Sequence, residues 1–257
     1  MKNIVDLSGS TIVITGASQG IGRAISNLCL ELGANVALLD LQAEPLGAYV
    51  DEIGADRAVG VAGSVTDRAK VDELVAAAVK KFGAIDGLVN NAGITRTAMA
   101  LKMTAQEWQQ VIDVHLTGSF NCIQAVGAVM VRQVEEGTRS GGAIVNISSD
   151  AGRRGTIGQI NYGTAKAGTL GMTMSAALEW ARYNIRVNTV AFGLVETPMT
   201  EVLRSEKFRD RSLAKIPLGR FGIPEEVAQP VVFMLSQAAG YITGQHLSVS
   251  GGSFTAS

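Results

Sequence analysis

Short apolar segments and amphipathic segments alternate along almost the whole chain. The apolar segments are rich in valine, isoleucine and leucine, which is typical of strands that are buried on both faces. The strands predicted in this way are Thr11–Thr15, Asn35–Asp40, Ala58–Val61, Gly87–Asn90, Ala143–Ser148, Arg186–Ala191 and His246–Val249.

Between these segments, apolar residues recur with helical spacing. The helices predicted from this spacing are Ile21–Leu32, Ala43–Ile53, Asp67–Phe82, Thr104–Val134, Tyr162–Arg182 and Pro224–Ser236. Capping residues mark several ends, such as Asp67, the capping box of Thr104 with Glu107, and the terminating Gly83. The segment Met199–Lys215 is polar and is predicted to be irregular.

Strands that alternate with helical crossovers predict a parallel sheet covered on both faces. We therefore expect an α/β fold, a doubly wound Rossmann-type sheet of about seven strands with helices on both faces. Neither a linker-like change in composition nor an internal repeat divides the sequence, so a single domain is expected over residues 1–257.

Composition narrows the classes of function. The net charge is −1 and no long basic or acidic run occurs, which argues against nucleic acid and anionic membrane surfaces as partners. No stretch reaches the roughly 18 consecutive apolar residues of a membrane helix. The two isolated cysteines, Cys29 and Cys122, form no disulfide framework or metal-ligand pattern. A cytoplasmic protein without a metal site is expected.

A glycine-rich turn connects the first strand to the first helix. It reads Thr15-Gly16-Ala17-Ser18-Gln19-Gly20-Ile21-Gly22. Glycines let the backbone approach a ligand closely, and a helix N-terminus offers unpaired N–H groups to a pyrophosphate. The alternative is a structural turn, since the glycine spacing differs from the general dinucleotide fingerprint. The candidate cofactor-binding residues of this turn are Gly16, Ser18, Gln19, Gly20, Ile21 and Gly22.

Asp40 ends the second predicted strand, 18 residues after Gly22. An acidic residue there can accept hydrogen bonds from the adenosine ribose hydroxyls and would repel a 2′-phosphate. At 4 Å and an effective dielectric of 20, each unit of like charge costs about 4 kcal/mol as an upper estimate. No basic residue stands at Gln19 or Leu41, although Arg23 lies nearby. NAD is therefore favoured over NADP, the alternative being an aspartate that only caps the next helix.

Tyr162 and Lys166 lie four residues apart at the start of a predicted helix, and thus on one face. Lowering a tyrosine pKa from about 10 towards neutrality takes roughly 3 units, or about 4 kcal/mol. A lysine ammonium at about 4.5 Å supplies about 3.7 kcal/mol at an effective dielectric of 20. The pair is thus sufficient for acid–base chemistry, although the same spacing also occurs on ordinary helices.

Ser148 and Ser149 follow at the end of a predicted strand, at the sheet edge where ligands bind in this architecture. A serine hydroxyl there can donate a hydrogen bond to a substrate oxygen that develops negative charge, and the alternative is a solvated strand end.

In combination, these residues resemble the single-domain branch of the short-chain dehydrogenase/reductase family, over nearly the whole chain. Ser149 stands thirteen residues before Tyr162, which is similar to the family's catalytic spacing. Other matching segments are the glycine-rich turn, Asn90-Asn91-Ala92-Gly93, Ala191-Phe192-Gly193 followed by Thr197, and Tyr241-Ile242-Thr243-Gly244-Gln245.

The resemblance implies roles for these residues. Tyr162 would be the general acid–base, Lys166 would lower its pKa and hold the nicotinamide ribose, and Ser149 would polarise the substrate oxygen. The implied cofactor contacts, besides the turn, Asp40, Tyr162 and Lys166, are Leu41, Ser64, Val65, Asn91, Ala92, Gly93, Val195 and Thr197. Residues 193–220 would cover the substrate. A homotetramer or homodimer would form through Thr104–Val134 and Tyr162–Arg182.

Three positions depart from the family pattern. His115 stands where the family usually has a fourth catalytic residue, an asparagine that holds a water in a proton relay. A neutral imidazole can also donate and accept, so a relay or a structural hydrogen bond is open here. Ser64 replaces an aspartate that meets the adenine, and Phe192 replaces a proline beside the nicotinamide.

The leading hypothesis for function is an NAD-linked dehydrogenase of a small-molecule secondary alcohol, best a 3-hydroxyacyl thioester. Gly93-Ile94-Thr95-Arg96 and the segment before Tyr162 resemble the 3-oxoacyl-thioester reductase subgroup. Arg153 and Arg154 either border the pocket or lie on the surface. The alternatives are a dehydrogenase of cyclic, aryl or steroid alcohols and, more distantly, a non-catalytic NAD-binding sensor.

Overall fold

The computed structural model describes residues 3–255, in which a parallel sheet forms the centre of the molecule. Its strands are β1 Thr11–Thr15, β2 Asn35–Asp40, β3 Ala58–Ala62, β4 Gly87–Asn90, β5 Gly142–Ser149, β6 Ile185–Phe192 and β7 His246–Val249. The strand order is β3-β2-β1-β4-β5-β6-β7, and each neighbouring pair is parallel. The predicted seven-stranded, doubly wound α/β fold is confirmed. The single domain over residues 1–257 stays a prediction, and its first two and last two residues lie outside the described range.

Helices cover both faces of the sheet. They are α1 Gly20–Glu31, α2 Ala43–Ile53, α3 Arg68–Phe82, α4 Ala105–Ile112, α5 Gly118–Glu135, α6 Ala151–Arg154, α7 Ile160–Trp180, α8 Glu201–Arg204, α9 Glu206–Leu213 and α10 Pro224–Leu235. On one face, Ile25 of α1 and Val231 of α10 are fully buried against the strands. On the other face, Leu74 of α3 and Met130 of α5 are fully buried. The two apolar layers fix the sheet, so that the strand ends form a stable edge for a site.

Two predicted segments differ from the structure. The single helix predicted over Thr104–Val134 is divided into α4 and α5 by a π-helical turn, Asp113–Thr117. A π turn inserts one extra residue into the helix, which sequence periodicity does not reveal. The segment Met199–Lys215, predicted to be irregular, contains α8 and α9. These short helices bury almost no side chains and therefore lack an apolar repeat.

The segment Ala105–Glu135 is the one helical stretch within residues 3–255 that is long and apolar enough to cross a membrane by composition. Half of its apolar window is buried inside the protein, where α5 packs against α3 and the sheet. A core helix satisfies the same length and composition test. We therefore interpret this segment as a core helix.

Candidate active site

A cleft of about 420 Å³ lies at the carboxyl ends of the parallel strands. Most of the predicted site residues line it, namely Gly16, Gln19, Gly20, Ile21, Asp40, Leu41, Ser64, Val65, Asn91, Ala92, Gly93, His115, Ser149, Tyr162, Lys166, Val195 and Thr197. Ser18 and Gly22 are the predicted site residues that lie just outside the cleft wall. Residues more than 180 positions apart in the sequence therefore meet in one cleft.

The glycine-rich turn is shaped by close backbone contacts. Gly16 and Gly20 have φ angles of 64° and 54°, a region that favours glycine. A side chain at Gly22 would overlap the carbonyl oxygen of Gly16, so Gly22 serves the packing of the turn. The Asn91 amide donates hydrogen bonds of 3.0 Å to the carbonyl oxygens of Thr15 and Gly16. Asn91 thus braces the turn against the end of β4.

The turn fits the pyrophosphate of a dinucleotide. Helix α1 begins at Gly20, and its N-cap residue Gln19 makes no side-chain capping bond, which leaves N–H groups of the first turn for a ligand. The Ser18 hydroxyl is buried and has no hydrogen-bond partner within the described part of the chain. A buried hydroxyl without a partner is costly unless a ligand satisfies it. Ser18, Gly20 and Ile21 would hold phosphate oxygens.

Asp40 lies at the end of β2 and is only 7% exposed. One carboxylate oxygen accepts a hydrogen bond from the Ser18 amide at 3.0 Å, and the other accepts one from the Gln42 amide at 3.0 Å. Nearby Arg23 is held by an ion pair with Glu52 and stacks over the Tyr49 ring. Among the described residues that line the cleft, Asp40 and Lys166 are the only Asp, Glu, Lys or Arg side chains.

Three side chains meet at the inner end of the cleft. Tyr162 and Lys166 come from the first turns of α7, and Ser149 ends β5. The Lys166 ammonium donates a 2.8 Å hydrogen bond to the carbonyl oxygen of Ile147 and lies 5.6 Å from the centre of the Tyr162 ring. The neighbouring Ser148 hydroxyl instead donates to the Lys166 carbonyl oxygen at 2.9 Å. Of the two serines, Ser149 is the one that contacts Tyr162.

Burial shifts the pKa values of this group. Burial raises the pKa of Tyr162 above its usual 10, and a hydrogen bond with Ser149 opposes this rise. Burial also lowers the pKa of Lys166 to about 7. That Lys166 lowers the pKa of Tyr162 stays a prediction, since burial is the largest influence on both groups among the protein's own residues.

His115 projects from the π turn into the protein and is only 3% exposed. Its Nε2 lies 2.8 Å from the carbonyl oxygen of Ile94 and 3.1 Å from the Ile94 amide nitrogen. Its ring stands edge-on to the Tyr162 ring, with 5.3 Å between centroids. Burial, and secondarily the charge of Lys166, lowers the pKa of His115 to about 3, so the imidazole is neutral.

Sequence reasoning missed a buried polar network beneath the site. The Asn90 amide donates to the Asn146 oxygen at 2.8 Å, and the Asn146 amide donates to the Thr173 hydroxyl at 2.9 Å. Thr173 in turn lies 2.7 Å from the Thr189 hydroxyl. The network ties β4, β5, β6 and α7 together below Tyr162. The sequence signal for this network was a polar residue within an apolar strand, such as Asn146 in β5.

The segment 193–220 only partly covers the cleft. Its first residues line the cleft wall, including Val195, Thr197 and Met199, whereas α8 and α9 do not. Arg153 and Arg154 lie exposed beyond the cleft. Of the two alternatives for this arginine pair, the structure supports a surface position.

Comparisons with known proteins show to which family the chain belongs. Residues 16–253 match a family model described as enoyl-(acyl carrier protein) reductase. The chain belongs to the short-chain dehydrogenase/reductase family. A 3-oxoacyl-(acyl-carrier-protein) reductase of Thermotoga maritima is 46% identical, with 96% of this chain and 98% of that protein covered. An uncharacterised oxidoreductase of Mycobacterium bovis is 44% identical, with 96% and 98% covered.

A solved short-chain type dehydrogenase/reductase from Mycobacterium marinum shares the fold. It superposes with a TM-score of 0.91 at 33% identity and covers 98% of both chains. This short-chain dehydrogenase/reductase is accordingly an oxidoreductase, and its family binds a nicotinamide cofactor, which supplies or accepts a hydride when bound.

Side chains at the inner end of the cleft of this short-chain dehydrogenase/reductase can transfer a proton to or from a substrate. The Tyr162 hydroxyl can transfer its proton to a substrate oxygen. The Ser149 hydroxyl can donate a hydrogen bond to the same oxygen. Lys166, with a pKa of about 7, can hold or release a proton beside Tyr162 near neutral pH. Apolar side chains of Ile94, Val114 and Met199 border the cleft.

Proposed function

We propose that this protein is a cytoplasmic, NAD(H)-dependent oxidoreductase that interconverts a 3-hydroxyacyl and a 3-oxoacyl thioester. The observation that carries the proposal is the meeting of Ser149, Tyr162 and Lys166 at the inner end of a cleft whose outer end holds a dinucleotide turn. Tyr162 acts as acid–base, Ser149 polarises the substrate oxygen, and Lys166 assists Tyr162. The names of the relatives support a 3-oxoacyl thioester as substrate.

The substrate is tested by following reduced nicotinamide absorbance with acetoacetyl-CoA and NADH. Rapid loss of NADH is expected. The other outcome, no loss with either NADH or NADPH, would contradict the thioester assignment. A panel of cyclic, aryl and steroid secondary alcohols with NAD would then separate another dehydrogenase from a non-catalytic sensor, because a sensor turns over none of them.

The preference for NAD rests on Asp40. Asp40 lines the cleft, and Arg23, the basic residue that directly follows the glycine-rich turn, is already paired with Glu52. A 2′-phosphate carries nearly two negative charges, and each costs about 1 kcal/mol at 4 Å even in water, so NADPH is expected to bind at least about 30-fold more weakly than NADH. The dissociation constants are measured by fluorescence titration.

An Asp40→Ala variant is expected to lose most of this discrimination by improving NADPH binding. The matched control is Asp51→Ala, an exposed aspartate on α2, which should leave the ratio unchanged. Equal affinities for NADH and NADPH in the unaltered protein would overturn the proposal for NAD while leaving the thioester assignment intact.

A homotetramer is proposed from the exposed side of α7. The exposed residues of this helix are mostly small or apolar, with Leu178 82% and Met174 52% exposed, and Glu179 is the one charged residue among them. Phe120 of α5 is also half exposed. Such a surface is typical of a subunit interface. A homodimer formed through the same surface is the smaller alternative assembly.

Sizing in solution is expected to give about 107 kDa, four times the 26.8 kDa of one chain. A Leu178→Arg variant should shift the protein to smaller species, because a charge would be buried in the interface. An Ile4→Arg variant, which also alters an exposed apolar residue, is the control. A monomer at micromolar concentration would rule out both assemblies.

A further inference from the structure

The residue after Ser149 makes contacts that the proposed reaction does not use. Asp150 is only 1% exposed, and it does not line the cleft. One of its carboxylate oxygens accepts a 2.7 Å hydrogen bond from the Ser248 hydroxyl of β7, and the other accepts a 3.4 Å hydrogen bond from the Ser253 hydroxyl. A buried carboxylate is tolerated only where such donors compensate for its lost hydration. Asp150 is therefore fixed by residues about 100 positions later in the chain.

Further contacts hold residues 250–254 against α6. The guanidinium of Arg153 lies 4.8 Å from the centre of the Phe254 ring. Arg154 donates a 3.1 Å hydrogen bond to the carbonyl oxygen of Ser253. The Phe254 amide donates to the Ser250 hydroxyl at 3.2 Å, which folds the segment back on itself. Residues 250–254, here called the C-terminal clasp, thus contact residues 150–154.

The clasp also touches the end of the segment that covers the cleft. The Leu218 amide donates a 3.1 Å hydrogen bond to the carbonyl oxygen of Gly251. Gly252 packs so closely on Pro217 that a side chain at Gly252 would lie 3.0 Å from the proline ring. The clasp therefore lies between the cover segment and the backbone that carries Ser149.

The backbone around Asp150 controls where the Ser149 hydroxyl points. The Asp150 amide donates to the Phe192 carbonyl oxygen at 3.2 Å, and the Ala151 amide donates to the Ser149 hydroxyl at 3.2 Å. Without the Asp150 contacts to Ser248 and Ser253, this stretch of backbone would lose an anchor and would be free to shift. A shift of about 1 Å in a reacting group can cost about 100-fold in rate.

We propose that Asp150 is a positioning residue, which orients Ser149 by anchoring it to the C-terminal clasp and couples this orientation to the cover segment. The proposal rests on the proposed function, since Ser149 is assigned there to the substrate oxygen. Asp150 touches no substrate, and it acts only through Ser149.

The kinetic test uses acetoacetyl-CoA with NADH. Asp150→Ala is expected to lower kcat by about 10- to 100-fold with KM for NADH unchanged. Asp150→Asn should restore most of the rate, because its amide oxygen still accepts from Ser248 and its nitrogen can donate to the Ser253 oxygen. Asp51→Ala is the matched control and should retain full activity.

A double-mutant cycle separates positioning from a general structural role. In a Ser149→Ala background, Asp150→Ala should lower kcat by less than about twofold, because Ser149 is no longer there to be positioned. An equal loss of kcat in both backgrounds would overturn the proposal, and so would an unchanged kcat for Asp150→Ala alone.

Hydrogen exchange tests the clasp without any turnover. Asp150→Ala is expected to speed amide exchange in residues 150–154, 216–218 and 250–254, whereas Asp51→Ala should leave all three segments unchanged. Unchanged exchange in Asp150→Ala would overturn the coupling. If the unaltered enzyme reduces no thioester or ketone, the proposed function fails, and the exchange experiment still decides whether Asp150 holds the clasp.

Discussion

A Tyr162→Phe variant is expected to turn over substrate at about one-thousandth of the original kcat while binding NADH with nearly unchanged affinity. The substitution removes only the hydroxyl, which is the group that exchanges a proton with the substrate oxygen. The aromatic ring that packs against His115 remains. Steady-state kinetics with acetoacetyl-CoA and a fluorescence titration with NADH measure the two quantities.

Tyr183→Phe is the matched control for this experiment. Tyr183 lies in a turn after α7, where its hydroxyl accepts a hydrogen bond from the exposed Arg182. The control should retain the full rate. If Tyr162→Phe also retained the rate, Tyr162 would not be the acid–base, whereas a total loss of NADH binding would indicate that the fold of the cleft had changed.

The second large effect concerns stability at acidic pH, and it arises from His115. The pKa of His115 is about 3 in the folded protein against its usual 6.5, because burial disfavours the imidazolium. Below pH 6.5 the unfolded chain takes up a proton at this position and the folded chain does not. The stability contributed by the neutral imidazole is therefore fully present above pH 6.5 and is lost as the pH falls towards 3.

Between pH 7 and pH 4 this linkage costs the folded protein about 3 kcal/mol. A His115→Gln variant lacks the ionisable group, so its free energy of unfolding should fall by about 3 kcal/mol less than that of the unaltered protein over this interval. Urea denaturation at both pH values measures the difference. All other titrating groups are common to the two proteins and cancel in the comparison.

The other histidine provides the control. His246 is partly buried on β7, and burial lowers its pKa to a lesser extent than that of His115. A His246→Gln variant is therefore expected to change the pH dependence much less than His115→Gln. An equal pH dependence in the unaltered protein and His115→Gln would mean that the imidazole is solvated rather than buried.

Local sequence was sufficient to predict the fold and to name many of the residues that line the cleft. Strands such as Asn35–Asp40 are short apolar runs, which is typical of strands buried on both faces of a parallel sheet. The glycine turn and Asp40 follow directly on strands, so the strand ends place them at one edge. Each of these features lies within a few consecutive residues, and such short-range features can be predicted from sequence.

The tertiary structure decided the features that depend on burial and on distant partners. Depth in the protein lowers the pKa of Lys166 and raises that of Tyr162, and no local pattern shows how deeply a side chain lies. Arg23 forms an ion pair with Glu52, 29 positions away in the sequence. Ser253 donates a hydrogen bond to Asp150, 103 positions away. Desolvation and long-range contacts arise only when the whole chain packs. For this reason the sequence alone predicted the fold and the candidate site residues, whereas only the tertiary structure showed how deeply these residues are buried and which distant residues hold them.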